Sequence, residues 1–137
     1  MKSIAPGATI GILGGGQLGR MLAIAAAEMG LAMLAEIKEY NRERDSAFRL
    51  RIGIHTGPVG AGVIGAQKFS YDLWGDTVNV ASRMESQGVE GGIQVTQATY
   101  ERLLDLYYLE ERGIVAVKGK GAMTTYLLQG KRIAAHA

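Results

Sequence analysis

Asn79 and Arg83 stand four residues apart in a stretch, Asp76 to about Gln87, that the sequence predicts to be a helix. At that spacing both side chains project from one helix face. An amide and a guanidinium side by side suit a substrate whose charge builds on phosphate and ribose oxygens. Asp72 precedes them at the end of a predicted strand, Phe69–Trp74. Lys118 sits in the run VKGKG, where flanking glycine lets the backbone come close to a bound group. Each residue also has an ordinary use: Asn79 and Arg83 as a solvated helix face, Asp72 in a turn, Lys118 as a surface charge. His55, at a strand end, reads as a structural histidine rather than a metal ligand.

A second candidate is the glycine loop. Gly14-Gly15-Gly16-Gln17-Leu18-Gly19 satisfies G-x-G-x-x-G after a predicted strand and before a predicted helix. In that setting the backbone N–H groups of Gly15, Gly16, Gln17 and Leu18 can hold a phosphate at the helix N-terminus. A dinucleotide site also needs an acid at the end of the next strand. Glu36 and Glu39 lie near that distance but on a predicted helix, so a nicotinamide cofactor is not expected. The plain alternative is a strand and a packed helix with no ligand.

The elements that must position these groups follow from periodicity. Ala8–Leu13 is a short apolar run and reads as a buried strand. Gln17–Met29 and Ala32–Arg44 read as helices, with Gly30 as a possible stop between them. Arg49–His55 alternates as a half-buried strand, and Gly57–Gly65 reads as a turn and strand. Asp76 or Thr77 is the expected cap of the Asn79 helix, and Gly88 its stop. Gly92–Val95 is a strand, and Thr96 caps a helix over Gln97–Asp105. Tyr107–Glu111, Ile114–Lys118 and Met123–Leu128 are three strands, the first two joined by a tight Arg112–Gly113 turn. Residues after Gln129 read as a tail.

Gly30 poses a geometric choice. An unbroken helix from Gln17 to Arg44 is 28 residues, roughly 42 Å at about 1.5 Å per residue. A strand of about seven residues covers only about 23 Å. Either Gly30 breaks the helix, or the long helix carries the next strand into a second subunit as a swapped dimer.

Composition limits the functional classes. The chain has 137 residues, 47% hydrophobic and 20% charged, which suits one globular domain. Without cysteine there is no disulfide, thiolate metal site or sulfur nucleophile. A net charge of +2 with no Lys/Arg block argues against a nucleic-acid partner. The apolar run Met21–Ala27 is too short for a membrane span, and Arg20 with the glycine loop breaks any signal peptide. A cytoplasmic location is expected.

Two family resemblances enter on these motifs. GILGGGQLGRMLAIAA resembles the N-terminus of N5-carboxyaminoimidazole ribonucleotide synthetase, an ATP-grasp enzyme, over about 24 residues. The segment beginning at Leu50, LRIGIHTGPVGAGVIGAQKFSYDLWGDTVNVASRM, and the later RGIVAVKGKGAMTTYLL resemble the class III adenylate/guanylate cyclase catalytic domain. The second resemblance covers residues 32–129, the C-terminal part of that domain.

It implies an α+β, ferredoxin-like sheet with helices on one face, its first βα unit replaced by a Rossmann-like one. It implies that Asn79 and Arg83 orient the ribose and stabilise the transition state. Asp72 would meet the purine edge of ATP or GTP, and Lys118 the terminal phosphates. The family's two metal-binding aspartates have no counterpart here, so no metal site is expected. The strand ATIGILGGG carries no carboxylate, and the hairpin with the second aspartate is missing. The joint expectation is an artificial or recombinant single-domain chimera, joined near Gly30, without catalytic turnover and with no required cofactor. The alternatives are a nucleotide- or phosphate-binding module, or one complementing half of a cyclase. The lost hairpin leaves a sheet edge open, so a homo-oligomer is expected.

Overall fold

The computed structural model describes residues 16–57 and 69–132, and the side chains of 19–57 and 76–132. Helix α1 spans Gly16–Arg44, strand β1 Ile52–Ile54 and helix α2 Phe69–Ser86. Strand β2 (Ile93–Thr96), helix α3 (Gln97–Leu103) and the long strands β3 (Tyr107–Val117) and β4 (Gly121–Lys131) follow. The strands form one mixed sheet in the order β1-β2-β4-β3. β1 and β2 run parallel, and the other pairings are antiparallel.

α1 is continuous through Gly30 for 29 residues, so the expected helix break is absent. Its sequence is rich in Ala, Leu, Met, Glu and Arg and has no proline to stop it. Gly30 has another role. A Cβ there would lie 3.0 Å from Ile93 Cδ1 and 3.7 Å from Ile52 Cδ1, so the helix crosses the sheet closely at this point. The helix ends where Asp45 takes a left-handed φ of 50°. Asn41 holds the exit: its Oδ1 accepts from Phe48 N–H at 3.0 Å and its Nδ2 donates to Phe48 O at 2.7 Å.

Residues 45–51 then carry the chain back to β1, a span of up to about 23 Å for an extended linker of that length. The long helix therefore needs no second subunit to complete the sheet, and domain swapping is not shown. The strand expected over Ala8–Leu13, and with it any Rossmann-like first unit, lies outside the described residues.

The helices cover both faces of the sheet, not one. Side chains alternate along a strand. Ile52, Ile54, Ile93 and Val95 pack with Ala23 and Ala27 of α1, Leu103 of α3, Tyr107 and Leu128. The residues between them face α2: a Cβ on Gly53 would meet the α2 backbone, and buried Gln94 donates from Nε2 to Met84 O at 3.1 Å. On that face Val80 and Met84 pack against Val115, Val117 and Met123.

The late strands also differ from expectation. Tyr107–Val117 is one strand, with a register shift at Arg112 in place of a turn. Glu111 pairs with Tyr126 and Gly113 with the next residue, Thr125, so Arg112 is the extra residue of a β-bulge. One inserted residue exchanges the two faces of everything beyond it. Tyr107 and Leu109 accordingly join the α1 side, whereas Val115 and Val117 join the α2 side. Gly113 occupies φ 141° at the bulge. The segment expected as strand Phe69–Trp74 is the first part of α2.

Gly53 is where α2 sits directly on the sheet. A Cβ there would approach Glu85 N to 2.2 Å and Ala81 O to 2.7 Å. These are backbone atoms and cannot rotate aside. Gly53→Ala is expected to destabilise the fold by about 3 kcal/mol. The urea unfolding midpoint, with the m-value unchanged, measures this.

Candidate active site

α2 carries Asp76, Asn79, Val80 and Arg83 at helical spacings of three, four and seven residues, which places them on one stripe. Val80 is buried against the β3–β4 hairpin, and so turns the polar members of the stripe toward the hairpin's end. There the chain reverses between Val117 and Gly121. Lys120 N–H donates to Val117 O at 2.9 Å, and Gly119 and Gly121 take φ values of 83° and 75°. The two glycines of KGKG are thus a conformational requirement of the turn.

Between stripe and turn lies a cleft of about 360 Å³, lined by Asp76, Asn79, Val80, Ser82, Arg83, Val117 and Lys118. It brings together Asn79, Arg83 and Lys118, three residues that are up to 39 positions apart in the chain (118 − 79). Their side chains make no hydrogen bond or ion pair with another described residue. The side chain of Asp72 lies outside the described residues, although its backbone belongs to α2. Gly15 is outside them as well. Gly16, Gln17 and Leu18 form the first turn of α1, and the latter two side chains are outside the described set.

Asp76 is not the helix cap. α2 begins seven residues earlier, at Phe69 (76 − 69), and the Asp76 carboxylate instead receives Lys120 Nζ at 2.6 Å. Neither Asp76 nor Lys120 stands out in the sequence as part of the site, because the pair forms only when the hairpin folds over α2. Thr96 precedes α3 as its N-cap residue but makes no side-chain cap bond. Its Oγ1 shares a hydrogen bond with His55 Nδ1 at 2.8 Å, which anchors the end of β1 to β2.

Residues 9–130 match the adenylate and guanylate cyclase catalytic domain. The chain belongs to that family. An adenylate cyclase of Mycobacterium tuberculosis is 50% identical over 111 residues, covering 81% of this chain and 25% of that protein. The guanylate cyclase domain of RhGC from Catenaria anguillulae, solved in complex with GTP, superposes with a TM-score of 0.66 at 34% identity. That match covers 80% of this chain and 60% of the solved one. The guanylyl cyclase domain of RhoGC from Blastocladiella emersonii, solved as a non-canonical dimer, has a TM-score of 0.60 at 29% identity, covering 80% and 60%. The chain spans a quarter of the mycobacterial protein and about three-fifths of the solved cyclase domains.

These matches correct the expectation of a catalytically silent chimera. The cyclase family match begins at residue 9, well before Gly30, and takes in most of the segment ascribed to an ATP-grasp protein. Nothing shows an ATP-grasp ancestry, and α1 crosses the supposed junction without interruption.

Cyclase chemistry uses two cations. Among the described residues no three His, Cys, Asp or Glu side chains are grouped to hold a metal. The cleft carboxylate, Asp76, is engaged by Lys120. The described donor set therefore does not fit a pair of metal ions. No described helix is long and apolar enough to cross a membrane.

His55 is held below the ordinary imidazole range, first by burial and then by Lys120, with Asp76 opposing both. The unfolded chain therefore takes up a proton at a higher pH than the folded one, and stability rises with pH. This contribution is complete above the unfolded value of about 6.5 and is lost as pH falls through the lower folded value. His55→Gln is expected to flatten the fall in melting temperature between pH 7 and pH 5. Thermal unfolding across that range measures it.

Proposed function

We propose that this chain supplies the ribose- and phosphate-binding side of a nucleotidyl cyclase site acting on ATP or GTP. The observation that carries the proposal is the convergence of Asn79, Arg83 and Lys118 on one cleft. Membership of the cyclase family supports the reaction class. The solved relative that holds GTP supports a purine nucleoside triphosphate as ligand.

Each side chain has a definite task in that reading. The Asn79 amide orients the ribose by hydrogen bonds. One turn on, the Arg83 guanidinium faces the phosphate at which the ring closes and offsets charge that develops on its oxygens. The Lys118 ammonium, on the opposite wall, holds the distal phosphates as a point charge. Asp72 meets the purine edge.

The reaction joins the ribose 3′ oxygen to the α-phosphorus and releases pyrophosphate, and the 3′ proton must leave. No described side chain in the cleft is a free base for that proton. A partner chain carrying the two metal-binding carboxylates would complete the site, so the chain acts as a complementing half within a dimer or larger assembly. The dimeric solved relative supports pairing as such.

The test is reconstitution. This chain is mixed with a cyclase domain that retains both metal aspartates but lacks its own Asn/Arg pair. Cyclic nucleotide is expected from the mixture and from neither component alone. Arg83→Ala in this chain should lower the rate about 100-fold or more. A demonstrated complex that yields no product refutes the proposal.

A further inference from the structure

Asp76 is a carboxylate in the wall of a cleft whose other charged residues are Arg83 and Lys118. If the cleft receives a triphosphate, as proposed above, a bare carboxylate in that wall repels it. Lys120 removes this conflict, with its Nζ 2.6 Å from Asp76 Oδ2. This contact puts the Lys120 ammonium against the cleft wall. Lys120 lies two residues beyond Lys118, in the same turn, held there by the left-handed glycines at 119 and 121.

The ion pair is open to exchange. The Lys120 side chain is 43% exposed and that of Asp76 is 60% exposed, so water screens their attraction. A triphosphate presents several anionic oxygens in place of one carboxylate, each able to accept a charge-assisted hydrogen bond. Lys120 also sits on a turn, where rotation of a flexible four-carbon stem moves the ammonium without moving the sheet.

We propose that Lys120 is a second phosphate-binding cation, parked on Asp76 while the cleft is empty and transferred to the distal phosphates when nucleotide enters. Asp76 is then a positioning residue. It keeps the ammonium at the cleft mouth, and it favours ligands with enough negative charge to displace it. A triphosphate displaces the carboxylate and a monophosphate does not. This inference rests on reading the cleft as a nucleotide site.

The opposing possibility is a plain staple, in which the Asp76–Lys120 pair only fastens α2 to the turn. The two accounts predict opposite signs. Calorimetric titration of the full chain with ATP, AMP and inorganic tripolyphosphate separates them.

Transfer predicts that Lys120→Gln weakens ATP and tripolyphosphate binding about fivefold and leaves AMP unchanged. It predicts that Asp76→Asn tightens both polyphosphates about threefold. A staple predicts that both substitutions weaken binding, and that the charge swap Asp76→Lys with Lys120→Asp restores it. That result overturns the inference, as does Lys120→Gln with wild-type affinity while Arg83→Ala still weakens binding. If wild-type chain gives no heat with either polyphosphate, the nucleotide reading of the cleft falls together with it.

Discussion

The site depends on one extra residue in one strand. Arg112 has no partner across the β3–β4 ladder, and its insertion exchanges the faces of the strand beyond it. Before the bulge, Tyr107 and Leu109 serve the core under α1 and α3. After it, Val115 and Val117 serve the core under α2. Without the shift, Val117 would face away from α2, and Lys118 would not meet Asn79 and Arg83 across a cleft. The bulge is held in place by its own side chain. Arg112 Nη1 donates to Gln94 Oε1 and to Gln87 O, and Gln87 Nε2 donates to Ala116 O at 3.3 Å. Gln94, fully buried, is satisfied from both sides by Arg112 and by the α2 backbone at Met84 O. The network ties the C-terminal end of α2 to the strand that delivers Lys118.

Close approach of helix to sheet is the second constraint, and glycine permits it on each face. Gly30 lets α1 lie against Ile93 and Ile52, and Gly53 lets α2 lie against β1. The α2 contact is the tighter of the two, because its neighbours are backbone atoms rather than the end of an isoleucine. It fixes the height of α2 above the sheet, and so the separation of the Asn79/Arg83 stripe from the hairpin turn. Sequence patterning sees such a glycine only as a candidate breaker. At Gly30 that reading led to a helix break or a swapped dimer. The structure shows an uninterrupted helix and a seven-residue return over positions 45–51.

Much of the fold was legible in the residues. The alternation of Ile52 and Ile54, the Asn79 helix, the short helix after Thr96 and the final hairpin all follow from period and turn chemistry. Phe69–Trp74 was not legible, because an aromatic-rich run of six residues has no distinctive period, and Gly75 mimics a stop. Arg112–Gly113 looked like a turn because an Arg-Gly pair between two apolar runs serves a bulge as well as a hairpin. The family reading also went astray locally. A glycine loop and an alanine-rich helix carry little information about ancestry, whereas the match over residues 9–130 weighs the whole chain at once.

By itself, the sequence determined the local geometry of the site's parts: Asn79 and Arg83 one turn apart, and Lys118 in a turn that requires its glycines. These follow from helix period and backbone sterics, which act over a few residues. Only the tertiary structure decided that the parts face one another. The register shift at Arg112 and the contact at Gly53 set that distance, and both arise between elements far apart in the chain. The same holds for Asp76 and Lys120, 44 positions apart (120 − 76) and joined at 2.6 Å. An ion pair across two elements leaves no periodic trace in either, so it exists only after the hairpin has packed over α2.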